Sequence, residues 1–169
     1  MANRLAPSSQ RKPLYTPAQR ARRDATVWTL VQGVLAPVQF LACAVSIGLV
    51  VWYLATGDGY GAATVSILVK TFLLYLIMVT GAIWEKVVFG QYLFAPAFFW
   101  EDVVSFGVIA LHTIYLYGLV TGRIPADALM WLALVAYATY IVNAAQFLWK
   151  LRLARLDSAR VSAFDGAVA

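Results

Sequence analysis

Four long apolar stretches dominate this 169-residue sequence and constrain its fold more than any other feature. They cover about residues 27–54, 62–88, 96–119 and 128–148, and short polar connections separate them. Each reaches the roughly 20 residues that an α-helix needs to cross a bilayer. Hydrophobic residues make up 62% and charged residues 12% of the chain, whereas a soluble domain has about 45–50% and about 25%. The sequence therefore predicts an all-α integral membrane protein whose residues 27–155 form a four-helix bundle.

The distribution of positive charge predicts how this bundle is oriented. Residues 1–26 contain six Lys or Arg residues and residues 150–169 contain four, whereas the two remaining turns share only Arg123. By the positive-inside rule, both termini lie in the cytoplasm, and so does the connection between the second and third stretches. The net charge of +5 suits an anionic membrane surface, and it is not a nucleic-acid footprint because it sits at the chain ends.

The two ends of the chain are predicted to lie outside the bundle. Residues 1–26 form a basic cytoplasmic segment, and Thr16-Pro17-Ala18-Gln19 could cap a short amphipathic helix within it. The alternative is a disordered basic anchor that fixes the topology. Residues 156–169 are predicted to be a frayed C-terminal tail.

The connection at residues 84–102 is the first candidate for a functional site. It places three carboxylates and seven aromatic residues between two apolar stretches, where ionisable groups are costly. The candidate catalytic residues are Glu85, Glu101 and Asp102, and the candidate binding residues here are Trp84, Lys86, Gln91, Tyr92 and Trp100. Purely structural roles stay open for the same residues, because carboxylates suit the start of a helix, lysine can snorkel to headgroups, and aromatic residues form interfacial belts.

A second candidate layer lies deeper in the predicted bundle. At a rise of ~1.5 Å per residue, Lys70 and His112 lie ~10–15 Å below the outer surface, with Gln39 not far off. His112 could donate a hydrogen bond between helices or bind the metal of a tetrapyrrole. Bis-histidine haem ligation is excluded because the chain has one histidine. On the fourth stretch, Asn143 and Gln146 are expected to reach the carboxylate layer.

Three segments of the sequence resemble the 3-vinyl bacteriochlorophyllide hydratase family. The first comprises Leu14-Tyr15-Thr16-Pro17, residues 20–26 and residues 28–37, the second is residues 81–102, and the third is residues 137–147. The resemblance covers most of residues 14–155. It implies a multi-pass enzyme of the bacterial inner, intracytoplasmic membrane that adds water to the vinyl group of a chlorophyllide-type ring during bacteriochlorophyll biosynthesis. The implied partners are this tetrapyrrole and membrane lipid, with neighbouring pathway enzymes or further copies of the chain as additional candidates.

The implied reaction suits the candidate residues. Hydration protonates the terminal vinyl carbon, and it therefore needs a general acid, an acceptor for water and negative charge facing the resulting cation. It needs no redox cofactor, and the substrate carries its own magnesium. We expect Glu85 or Glu101 to be the proton donor, Asp102 or the other glutamate to orient water, and His112 to bind the magnesium or the ring. The substrate propionate is expected at one of three basic residues, Arg23, Lys150 or Arg152.

Alternatives to this interpretation remain. The vinyl group and the propionate lie at opposite ends of the ring, so a propionate at the basic rim would send the vinyl group deep, where His112 and Lys70 become the rival acid. A non-catalytic protein that binds or hands over pigment would use His112 and the aromatic residues without needing the carboxylates. A small four-helix exporter is the weakest class, because its usual deep acidic residue is replaced here by Lys70 and His112.

Overall fold

The computed structural model describes the backbone of residues 14–168 and the side chains of residues 14–156. It is all-helical over this range. The elements are α1 (Pro17–Ala25), α2 (Val27–Thr56), α3 (Tyr60–Phe89), α4 (Phe99–Thr121) and α5 (Ala126–Val168). The helices α2, α3 and α4 and the segment Ala126–Leu156 of α5 are long and apolar enough to cross a membrane. The prediction of four long apolar helices is therefore confirmed, and all four are candidate membrane spans.

The four long helices form two antiparallel hairpins. Helix α2 packs along α3, and α4 packs along α5, while the hairpins meet through the less extensive α2–α5 and α3–α4 contacts. The apolar core joins both hairpins and includes Val50, Ile67, Val108 and Met130. Cys43 is a free, buried thiol in this core, as its apolar surroundings predict. The start of α2, the end of α3 and the start of α4 lie at the same end of the bundle, which we call the carboxylate end.

Helix α1 forms as the sequence allowed, and it covers the carboxylate end. Thr16 and Gln19 make a capping box, in which each side chain bonds the other residue's backbone N–H, and Pro17 follows at the first helical position. Arg22 donates two hydrogen bonds to the Val88 carbonyl oxygen at the end of α3, at 3.0 and 2.7 Å. Helix α1 is therefore docked on the carboxylate end of the bundle. The predicted basic segment also includes residues 1–13, which lie outside the described residues.

Two helix boundaries differ from the prediction. Helix α4 begins at Phe99 rather than near Pro96, because residues 90–98 form a turn in which the Phe98 N–H bonds the Ala95 carbonyl oxygen at 2.7 Å. Gly90, with φ +91°, ends α3 in the left-handed conformation that glycine adopts without steric cost. The last helix, expected to end near Leu148, continues to Val168, so the backbone of the predicted tail is helical.

Candidate active site

The turn between α3 and α4 brings two carboxyl groups together. The Phe94 N–H donates to Asp102 Oδ2 at 2.7 Å, and the next N–H, that of Ala95, donates to Glu85 Oε2 at 3.2 Å. Phe94 has φ +58°, an uncommon value for a residue with a side chain, and its ring stacks on Phe106 at 5.5 Å. This conformation directs two successive donors toward the carboxyl groups, an arrangement that favours bound oxygen atoms.

Glu85 and Asp102 contact each other through their carboxyl groups. Both side chains are buried, although they come from different helices. Two carboxylates in contact repel each other, so one shared proton stabilises such a pair. The pair can therefore hold a transferable proton beside a low-dielectric interior.

Glu101 makes a different contact one residue before Asp102. Its Oε2 accepts a hydrogen bond from Lys150 Nζ at 2.6 Å, and the side chains are 9% and 26% exposed. The Lys150 ammonium also lies over the Phe98 ring, 5.3 Å from its centroid. Glu101 thus forms an ion pair with Lys150, next to the Glu85–Asp102 pair.

Asn143 joins this cluster one turn deeper. Its Nδ2 donates to Ser105 Oγ at 2.7 Å, and Ser105 Oγ donates to the Glu101 carbonyl oxygen at 2.8 Å. The carbonyl oxygens of the Asn143 and Gln146 side chains are buried without a hydrogen-bond partner among the described residues. A buried acceptor of this kind costs about 1–3 kcal/mol, which a ligand that donates a hydrogen bond would recover.

Trp84 lies at the carboxylate end but belongs to a packed aromatic cluster. Its Nε1 donates to Thr29 Oγ1 at 2.9 Å, and its ring makes edge contacts with Phe89 and Phe98. Tyr15, which precedes α1, is buried on the same cluster and stacks on Phe89 at 5.8 Å. Its neighbourhood raises the pKa of the Tyr15 hydroxyl, chiefly because burial disfavours the charged form.

The other candidate binding residues of the 84–102 connection point away from the carboxyl cluster. Trp100 is 69% exposed and Tyr92 is 59% exposed. Lys86 Nζ donates to the Gly90 carbonyl oxygen at 2.9 Å, and Gln91 Nε2 donates to that of Leu93 at 2.9 Å. The structure does not bring these four side chains to the carboxyl groups, and their positions fit an interfacial aromatic belt and a snorkelling lysine better.

The deeper polar layer is also present. Lys70, His112 and Gln39 are each at most 1% exposed, and His112 lies within electrostatic range of Lys70. His112 Nδ1 lies 2.8 Å from the Val108 carbonyl oxygen, which can only accept a hydrogen bond, so Nδ1 carries the proton and Nε2 carries a lone pair. Nε2, the Lys70 ammonium and both polar atoms of the Gln39 side chain have no hydrogen-bond partner in the described part of the chain.

The two layers are separated along the bundle. Asp102 and His112 are ten residues apart on α4, or ~15 Å along its axis. Helical side chains point toward the N-terminus of their helix. The His112 side chain leans toward the carboxylate end, as its contact with the Val108 carbonyl oxygen shows, and Glu85 bonds the Ala95 N–H of the α3–α4 turn.

The predicted basic rim is largely engaged. Arg23 pairs with Asp24 at 2.7 Å and lies over the Tyr15 ring, and Lys150 holds Glu101. Arg152 is exposed. Arg22, which contacts the end of α3, was not singled out from the sequence, and nothing in the spacing of the arginines distinguishes it from its neighbours.

Some neighbours of the candidate residues were also missed from sequence. Phe94, Ser105 and Tyr140 are not among the candidate residues that the sequence indicated. Ser105 lies four residues after Glu101 and three before Val108, on the helix face that also carries Glu101 and His112. That spacing was the available signal for Ser105, whereas the positive φ of Phe94 has no sequence signal.

An apolar groove of about 360 Å³ runs along the seam between α2 and α3. Its lining consists of Leu30, Val31, Val34, Leu35, Leu76 and Thr80. None of the candidate carboxylates contributes to it, so this groove is not the site described above.

Comparison with known proteins agrees with the three segments singled out in the sequence. Residues 15–153 match the family described as 2-vinyl bacteriochlorophyllide hydratase. A 2-vinyl bacteriochlorophyllide hydratase of Cereibacter sphaeroides is 74% identical over 152 residues, which cover 90% of this chain and 94% of that protein. One from Rhodobacter capsulatus is 72% identical over 149 residues, which cover 88% of this chain and 86% of its own. No solved structure matches the chain.

Proposed function

The chain belongs to the 2-vinyl bacteriochlorophyllide hydratase family of bacteriochlorophyll biosynthesis, and we propose that its carboxyl cluster carries out the hydration. The substrate is a bacteriochlorophyllide whose vinyl group, at position 2 in the older ring numbering and 3 in the current one, gains water. The product carries a 1-hydroxyethyl group. The observation that carries the proposal is the contact between the buried Glu85 and Asp102 carboxyl groups beside the ion-paired Glu101.

The reaction balances with water alone. A proton adds to the terminal vinyl carbon, and the positive charge that forms on the inner carbon is delocalised into the macrocycle. A water oxygen then bonds to the inner carbon, and one of its protons returns to a carboxylate. Because no electron is gained or lost, we expect no redox cofactor, and the magnesium belongs to the substrate.

Glu85 and Asp102 suit the role of general acid. A carboxyl pair in contact retains one proton in an environment of low dielectric, and donation of that proton leaves a negative charge facing the new cation. The two N–H donors of Phe94 and Ala95 stabilise that negative charge after transfer. This arrangement favours Glu85 over Glu101 as the proton donor.

Glu101 suits the role of water acceptor. Its carboxylate accepts a hydrogen bond from Lys150 at 2.6 Å, and the same carboxylate is the acceptor for the proton that water releases. Asn143, which is linked through Ser105 to the backbone carbonyl oxygen of Glu101, has a side-chain carbonyl oxygen without a partner among the described residues and is the second candidate acceptor for water. Water can reach this end of the bundle beside Lys150, whose side chain is partly exposed.

His112 suits an axial ligand of the substrate magnesium. Its unprotonated Nε2 is buried and has no partner within the described residues, and magnesium in a tetrapyrrole accepts such a nitrogen. The described side chains contain no group of three or more acidic, histidine or cysteine residues that could hold a metal by themselves. A metal that arrives with four ring nitrogens requires only one protein ligand.

The carboxylate end is proposed to face the cytoplasm. The basic residues of α1 and of the end of the last membrane span lie there, in agreement with the positive-inside rule. We place the protein in the inner membrane of a phototrophic bacterium. Contacts with neighbouring enzymes of the pathway or with further copies of the chain stay predictions from the sequence.

Incubation of membranes with bacteriochlorophyllide in ¹⁸O-labelled water, followed by mass analysis of the product, tests the proposal. We expect the label in the 1-hydroxyethyl group with the unaltered protein and strongly reduced incorporation with Glu85→Gln and Glu101→Gln. Asp58→Asn, at the opposite end of the bundle, is the matched control and should retain full turnover. Full turnover in both glutamate variants would contradict the assignment. Pigment that binds but is released unchanged by the unaltered protein would favour a carrier.

A further inference from the structure

Lys70 is the one described cation that is fully enclosed in the bundle and lacks a counter-charge. It is 0% exposed, and no hydrogen-bond acceptor among the described residues contacts its ammonium group. Its neighbours are the faces of Tyr140, 3.7 Å from ammonium to ring centroid, and Tyr137, at 5.8 Å. Aromatic faces attract the charge but accept none of its hydrogen bonds in the usual geometry. An ionisable group at this depth indicates a functional role.

The unpartnered atoms around Lys70 come from three different helices. Gln39 lies on α2, Lys70 on α3 and His112 on α4, and Tyr140 of α5 closes the fourth side. Lys70, His112 and Tyr140 lie where the two hairpins face each other, which is the less extensively packed seam of the bundle. A flat ligand that enters this seam lengthwise would contact all four helices. The unmet hydrogen-bonding groups there match a ligand with its own polar atoms.

We propose that Lys70 donates a hydrogen bond to the keto oxygen of the isocyclic ring of the substrate. This inference rests on the proposed function, because it assumes that the vinyl group lies at Glu85 and Asp102. In a bacteriochlorophyllide the keto oxygen lies at the end of the macrocycle opposite the vinyl group. Lys70 likewise lies away from the carboxylate end, 15 residues or ~22 Å along α3 from Glu85.

The geometry is consistent with one lengthwise pose. In this pose the macrocycle, with a hydrogen bond at each end, spans the polar interior between the Glu85–Asp102 pair and Lys70. His112 lies between them in depth, as expected for a ligand of the central magnesium. The pose also explains why the basic rim is engaged elsewhere, since the ring needs no cation from Arg23 or Lys150 at its vinyl end.

The vibrational spectrum of bound pigment tests this contact without relying on turnover. The probe is a substrate analogue whose vinyl group has been reduced to ethyl, so that it binds but cannot be hydrated. With the full-length protein in lipid nanodiscs, we expect the keto C=O stretch to lie below its value in an aprotic solvent. In Lys70→Met the band should return to that value, and the affinity should fall about tenfold, as for loss of one charge-assisted hydrogen bond.

Three comparisons sharpen the test. Thr71→Val removes an adjacent buried hydroxyl and should leave the keto band unchanged. An analogue with methylene in place of the keto group should bind equally well to the unaltered protein and to Lys70→Met. An analogue with a methylated propionate should still bind more tightly to the unaltered protein. If propionate methylation instead abolishes the difference between the two proteins, Lys70 binds the carboxylate and the keto assignment is wrong.

The Lys70 contact can be tested separately from the folding of the protein and from the hydration reaction. Replacement of an unpartnered buried cation by methionine should not lower the melting temperature. If Lys70→Met nevertheless fails to fold, a keto band at its free value in the unaltered protein still overturns the proposal. A shifted keto band in a protein that does not hydrate the vinyl substrate would retain the Lys70 contact and reject the proposed function.

Discussion

Glu101 Oε2 and Lys150 Nζ lie 2.6 Å apart and join the first turn of α4 to the end of the membrane-spanning part of α5. The two residues are 49 positions apart in sequence. The carboxylate also lies where the N-terminal dipole of α4 favours negative charge. The ion pair with Lys150 distinguishes Glu101 from the adjacent Asp102, whose carboxyl group contacts that of Glu85.

Replacement of Lys150 alone should therefore lower the unfolding free energy more than replacement of both Lys150 and Glu101. In Lys150→Met, the largely buried Glu101 carboxylate loses its counter-charge, and we expect a loss of about 1–3 kcal/mol in unfolding free energy, since partial exposure screens the pair. Glu101→Gln combined with Lys150→Met should recover most of that loss. Thermal unfolding of the four proteins in one detergent measures it. Equal destabilisation in the single and double variants would show that the pair contributes little.

Glu85 and Asp102 should behave as one unit in catalysis. If they share the transferred proton, Glu85→Gln and Asp102→Asn should each lower the hydration rate by about 10²–10⁴-fold. The double variant should be little worse than either single variant, because groups that act together are not additive. Single-turnover rates with saturating pigment separate this effect from binding. Multiplicative losses in the double variant would assign the two carboxyl groups to separate steps.

The sequence predicted the four spans and the gathering of the carboxylates, because both follow from local patterns. Apolar length determines each span, and the short 84–102 connection forces Glu85 and Glu101 to the same end of the bundle. The partners of each carboxylate could not be predicted in this way. They depend on the turn at Phe94, whose positive φ has no local signal, and on the rotation of α5, which brings Lys150 to Glu101. The outward directions of Trp100 and Tyr92 could not be predicted either, because composition does not specify where a side chain points.

His112 should discriminate between pigments with and without magnesium. We expect the unaltered protein to bind the magnesium form more tightly than the metal-free form, and His112→Ala to bind both alike. Imidazole added to His112→Ala should restore part of the preference, because it supplies the missing nitrogen ligand. Absorption titrations with the non-hydratable ethyl analogue, with and without magnesium, measure these affinities. Equal binding of both pigments by the unaltered protein would assign the His112 Nε2 atom another role.

Tyr15 should hold α1 over the carboxylate end. The residue is buried against Phe89 and Phe98, so Tyr15→Ala should weaken the docking of α1 by about 3 kcal/mol, as for other large-to-small substitutions in a packed cluster. Trypsin cleavage at Arg22 and Arg23 should accelerate in Tyr15→Ala before the bundle unfolds. Arg123→Gln, at the other end of the bundle, provides a control that should not change cleavage in α1. Unchanged cleavage in Tyr15→Ala would mean that Arg22 and the Val88 carbonyl oxygen suffice for docking.

The same contact should depend on pH in the alkaline range. Burial raises the pKa of the Tyr15 hydroxyl above its ordinary value of 10.0. A group whose pKa is raised by folding contributes stability that is fully present below the unfolded pKa and is lost as pH rises through the folded pKa. Docking of α1 should therefore be independent of pH up to about 10 and weaken above it. Trp84 fluorescence, with its indole bonded to Thr29 beside α1, reports the change. Tyr15→Phe keeps the ring but cannot ionise, so its docking should weaken less across this range, and identical pH curves for the two proteins would exclude Tyr15 as the cause.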